Sequence, residues 1–70
     1  MSKLEDIADG LAKRALDLVE KSGDESIEKR IAEEIGALSP TLQEAYNTAV
    51  RIRKAESRAS KLLDKYTAGE

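Results

Sequence analysis

Pro40 lacks a backbone N–H and disfavours helical geometry at the residue before it, so a helix arriving from the N-terminal side stops short of it. Ser39-Pro40 is equally a start signal. The serine oxygen can accept from an unpaired N–H of the first turn, and proline at the first helical position loses nothing. From Pro40 to about Tyr66 apolar residues recur at steps of three and four, which predicts one helix of ~40 Å at ~1.5 Å per residue. The segments ahead of it are shorter, ~30 Å and ~18 Å on the same rise. Apolar surface around Leu62, Leu63 and Tyr66 must therefore pack along the first helix, be shared with another subunit, or stay exposed.

Helices are expected at about 3–21, 25–37 and 40–66. Ser2 and Glu5 have the capping-box spacing that opens the first. Leu4, Ile7, Ala8, Leu11, Ala15, Leu18 and Val19 form its apolar stripe, widened by Ala12 and Leu16, with Asp6, Asp9, Asp17 and Glu20 opposite. So broad an arc suits contact with two neighbours. Lys21 and Gly23 mark its end near residue 22. Asp24 or Ser26 can cap the second helix, whose core positions are Ile27, Ile31 and Ile35, with Leu38 beyond. Gly36 and the approaching Pro40 place its end near residue 36 or 37. Thr67 to Glu70 read as a frayed end.

At 70 residues the chain is one helical domain, 1–70, near the size at which a lone hydrophobic core becomes marginal. A self-associating subunit would gain most. There is neither cysteine nor histidine, which removes disulfides, thiolate metal sites, the usual zinc ligand and the usual general base near neutral pH. No metal or cofactor is expected, and the chain does not read as an enzyme. Adjacent carboxylates such as Glu33-Glu34 diverge by ~100° on a helix and read as surface charge. The start, Met-Ser-Lys-Leu-Glu-Asp, has acidic residues where a secretory signal is basic and then apolar, and no stretch has membrane-spanning length. A cytoplasmic setting without membrane contact is the expectation.

Charge is segregated along the chain. Residues 1–50 carry 6 basic and 11 acidic side chains, a balance of −5, whereas residues 51–70 carry 6 and 3, a balance of +3. On the last helix Leu42, Ala45, Ala49, Ile52, Ala59, Leu63 and Tyr66 follow one apolar series into which Glu56 intrudes, and Ala55 and Leu62 offer a register that avoids it. The small residues Ala45, Ala49, Ala55 and Ala59 let another helix approach closely. That face serves either packing within the bundle or a dimer seam. Arg51, Lys54, Arg58, Lys61 and Lys65, spaced 3, 4, 3 and 4, form a basic ribbon within about 80° of the circumference. Such a ribbon can be solvated, pair with an acidic helix face in the same or another subunit, or neutralise phosphates. No aromatic residues interleave with it to stack bases.

In residues 31–46, Ala32, Gly36 and Leu42 stand as a small residue, a turn glycine and a buried residue of a following helix, with Ile35 packing ahead of the turn. This segment of 16 residues resembles the helix-turn-helix of bacterial repressors. The resemblance implies a DNA-binding regulator with residues 40 onward as recognition helix. Two departures stand beside it. Leu38 lies where the family tends to be polar, and Thr41, Gln43 and Glu44 offer no cation to a base or phosphate.

The residues together predict an all-α three-helix bundle with a long, dimerising C-terminal helix. Its expected role is association with a protein partner, itself as a homodimer, in the manner of an adaptor, inhibitor or regulatory subunit. Partner-binding residues are Ala45, Ala49, Ile52, Ala55, Ala59, Leu62, Leu63 and Tyr66, with Arg51, Lys54, Arg58, Lys61 and Lys65 meeting an acidic partner or, in the alternative, nucleic acid.

Overall fold

Three capping signals divide the chain. In the computed structural model, which describes residues 2–68, they separate α1 (Lys3–Ser22), α2 (Ser26–Leu38) and α3 (Pro40–Ala68). Ser2 Oγ accepts the Glu5 N–H at 3.2 Å, and Glu5 and Asp6 place negative charge on the positive end of the α1 dipole. Gly23, at φ 75°, ends α1 by donating its N–H to the Val19 carbonyl at 2.7 Å. Asp24 Oδ1 then accepts the Ser26 N–H at 3.0 Å and the Ser26 hydroxyl at 2.6 Å, opening α2. These two bonds, the hydroxyl's first, hold the Asp24 carboxyl below the ordinary carboxylate range.

Between α2 and α3 stands a single residue. Ser39 is extended, as a residue before proline prefers, and both its ends are used. Its N–H closes α2 onto the Ile35 carbonyl at 2.8 Å, and its Oγ accepts the Leu42 N–H at 3.1 Å. The expected end of α2 at 36 or 37 falls short by a residue or two, because Gly36 is not a stop. It lies inside the helix, where a Cβ would run into the Gln43 carboxamide. Gln43 Nε2 donates to the Ala32 carbonyl at 2.9 Å, so the glycine serves close approach of α3 to α2 rather than a turn. This also revises the resemblance to a helix-turn-helix, in which Gly36 would be the turn residue. Thr67 and Ala68, expected to fray, continue α3; Gly69 and Glu70 lie outside the described residues.

The three helices pack against one another. Their shared core is small and rich in alanine: Ala8, Ala12 and Ala15 from α1, Ala32 from α2, and Tyr46, Ala49 and Val50 from α3. Side chains of this size let helix axes approach at the lower end of the usual range of about 8–10 Å. Tyr46, 1% exposed, is the largest fully buried side chain, and its hydroxyl donates to the Glu28 carbonyl at 3.0 Å. Burial, and then the nearby Glu28 carboxylate, raise its pKa above 10. Leu11, Leu16, Ile31, Ile35, Leu42 and Ala45 pack around this centre. On α1 the large residues expected in the core turn outward instead: Ile7 is 55% and Leu18 52% exposed. Close packing takes the alanine side of the broad apolar arc.

The molecule measures 49 × 30 × 13 Å with a radius of gyration of 14.0 Å. A compact chain of this length would have a radius of about 11 Å, so the fold is drawn out along α3. If Tyr46 organises the core, Tyr46→Ala should cost about 3–5 kcal/mol in urea unfolding and leave little folded protein, whereas Tyr46→Phe, which forfeits one hydrogen bond, should cost about 1 kcal/mol.

Candidate functional site

The core ends abruptly within α3. Val50 is buried and Ile52, half a turn on, is 63% exposed. From Lys54 to Ala68 every residue is exposed, so about 15 residues of helix, some 22 Å long at about 1.5 Å per residue, project beyond the packed region. A lone helix of that length is marginal in water. Here it is continuous with a packed one, and it carries apolar side chains left more than half exposed: Leu62 is 54%, Leu63 65% and Tyr66 72% exposed.

The partner-binding series read from the sequence therefore divides. Ala49 belongs to the core and Ala45 is half-buried beside it, both packed within the chain. Ile52, Ala55, Ala59, Leu62, Leu63 and Tyr66 stand open to solvent. Of these, Ile52, Ala55, Ala59, Leu62 and Tyr66 are spaced 3, 4, 3 and 4, the spacing of a heptad seam, with small residues in the middle and large ones at the ends. The basic ribbon divides too. Lys54 Nζ lies 2.8 Å from Glu28 Oε1, which ties it to α2. Arg51, Arg58, Lys61 and Lys65 are exposed, and among the described residues none makes an ion pair within the chain.

An exposed ion pair joins α1 to α3 at the edge of the packed region. Arg53 grips Asp9 with two bonds, Nε to Oδ1 at 2.7 Å and Nη2 to Oδ2 at 2.8 Å, so α1 and α3 are clamped just where burial ceases. The Arg53 hydrogen bonds foremost, then its charge and that of Lys13, hold the Asp9 carboxyl below the ordinary carboxylate range. Sequence reasoning put Asp9 on the solvent side and left Arg53 out of the ribbon. A pair 44 residues apart leaves no local signal.

Beside the junction, α1 and the first half of α3 enclose a groove of about 600 Å³. Its apolar lining is Leu4, Ala45, Ala49 and Ile52, and its polar lining includes Glu5, Asp6, Asp9 and Glu44. Among the described residues Asp9 is the one of those four carboxylates engaged by a basic side chain. A second groove, between α2 and α3, is bridged by the Lys54–Glu28 pair. Among the described residues no helix is long and apolar enough to cross a membrane, and no three metal-ligating side chains cluster.

Because the Asp9 pKa is lowered on folding, its contribution to stability is present above the unfolded value of about 3.9 and is lost as pH falls through the lower folded value. Thermal unfolding between pH 6 and pH 2 should show this loss, and Asp9→Asn should be less stable at pH 6 and flatten the decline over that acid range. No protein-family model, curated protein or solved structure matches the chain.

Proposed function

We propose that the protein is a non-catalytic association module that works by pairing the exposed face of α3 with another helical surface, and that it self-associates as a homodimer. One observation carries this reading: the apolar seam Ile52, Ala55, Ala59, Leu62 and Tyr66 continues without a break from the bundle onto a stretch of helix that is exposed at every position from Lys54 to Ala68. Leu62, Leu63 and Tyr66 each leave more than half of their surface in water, and burying the remainder would recover on the order of 1–2 kcal/mol per side chain. A partner helix recovers it. The patch is small, which favours reversible association of modest affinity rather than an obligate assembly.

The DNA-binding alternative draws on the cationic residues Arg51, Arg58, Lys61 and Lys65. It lacks support at the start of α3, where a recognition helix would meet base edges. Gln43 is occupied by the Ala32 carbonyl, Thr41 is exposed beside it, and the next outward residue is the carboxylate of Glu44. Lys54 is held by Glu28.

Sedimentation equilibrium separates these readings. The protein should show a monomer–dimer equilibrium at micromolar concentration, and Leu62→Ser/Tyr66→Ser should weaken it by about tenfold or more while helicity is kept. A strict monomer at high micromolar concentration ends the dimer reading. Salt-sensitive retardation of duplex DNA that weakens when Arg51, Arg58 and Lys61 are neutralised would put the alternative in its place.

A further inference from the structure

The groove between α1 and the first half of α3 is the complement of the projecting end of α3. Its floor is apolar, through Leu4, Ala45 and Ile52, and Glu5, Asp6 and Glu44 on its walls have no basic partner among the described residues. The projecting end presents Leu62 and Tyr66 on one side of the helix, flanked by Arg58, Lys61 and Lys65, likewise without ion-pair partners. A chain whose net charge is only −2 thus carries both an unpaired acidic wall and an unpaired basic flank, each beside exposed apolar surface. These two surfaces cannot meet within one molecule. α3 is helical without interruption from Pro40 to Ala68, so its end cannot fold back onto a groove that its own Ile52 helps to line.

We infer that the C-terminal end of α3 docks into the α1–α3 groove of a second copy, and reciprocally, with Leu62 and Tyr66 on the apolar floor and Lys61 and Lys65 against Glu5, Asp6 and Glu44. This inference rests on the proposed self-association and specifies its geometry. Charge selects this arrangement over direct pairing of two projecting ends. Reciprocal docking also runs the two α3 helices antiparallel, in a register that brings Lys65 to the partner's Glu44, whereas a register centred on the projecting ends would bring the ridge of Arg51, Arg58 and Lys65 against the same ridge of its partner. Docking in the groove sets Lys61 and Lys65 against carboxylates instead. A reciprocal contact also closes: each copy fills one groove and offers one helix end, so assembly stops at two.

Salt dependence differs in sign between the two arrangements. Docking in the acidic groove weakens as sodium chloride is raised from 50 to 500 mM, whereas end-to-end pairing of basic ridges strengthens. The decisive test uses two variants, Lys61→Glu/Lys65→Glu and Asp6→Lys/Glu44→Lys, studied by sedimentation after circular dichroism has verified their helicity. Each alone should dimerise about tenfold more weakly than the parent chain or worse, because a charged end then meets a groove of its own sign. An equimolar mixture should recover a dimer, since both reciprocal contacts are again opposite in charge. In the otherwise cysteine-free chain, mixed Thr48→Cys and Leu62→Cys proteins should form the cross-linked pair in preference to Leu62→Cys with itself. A dimer that both charge variants leave intact, a mixture that recovers nothing, or preferential Leu62→Cys self-linking overturns the groove assignment while leaving helix association standing. A parent chain that never dimerises overturns both.

Discussion

Tyr46 reaches from α3 to the Glu28 carbonyl of α2, and the alanines at positions 8, 12, 15, 32 and 49 are small enough for the three helices to gather closely in the core that contains its ring. Everything else about the molecule follows from how local that gathering is. Alanine contributes little apolar area, so a core built this way is stabilised by close contact rather than by bulk, and it ends within one turn of Tyr46, at Val50. The chain does not lack large apolar side chains. Eight of its 17 Leu, Ile, Val and Tyr residues stand more than a third exposed instead.

That distribution gives the fold its character. Joined to α1 by Arg53 and Asp9 at the edge of the core, α3 continues as a projecting rod whose charged side chains are mostly basic, while the packed part of the molecule carries most of the negative charge. Two unlike surfaces, each partly apolar, are thereby kept apart within one chain, because α3 is a single uninterrupted helix. In the proposed association between copies both would be covered, with burial of the outward leucines and relief of charge segregation as its driving force.

How much of this was legible in the residues depended on whether the governing physics was local. Ser2, Gly23 and Ser39-Pro40 act through hydrogen bonds and dihedral preferences within a few residues, and they placed the helix boundaries to within about two positions. Gly36 misled, because a glycine that ends a helix and one that admits a neighbouring side chain look alike until Gln43 is seen beside it. On α1 periodicity marked an apolar arc without saying which part of it would meet a neighbour. Close approach chose Ala8, Ala12 and Ala15 over Ile7 and Leu18. The exposed seam on α3 was visible as spacing, but the point at which the core releases it, between Val50 and Ile52, depends on how α1 crosses α3. The Asp9–Arg53 clamp and the groove beside it arise from that same crossing, and no run of sequence contains them.

Hydrogen exchange of the α3 amides, followed as the protein is diluted from high micromolar to nanomolar concentration, addresses the central claim most directly. Amides of residues 55–66 should be protected in the concentrated sample and should exchange at the rate of an unsupported helix in the dilute one, while those around Tyr46 keep their protection throughout. Fast exchange of residues 55–66 at every concentration would mean that nothing covers the projecting helix, and the account of it as half of a complementary pair would be wrong.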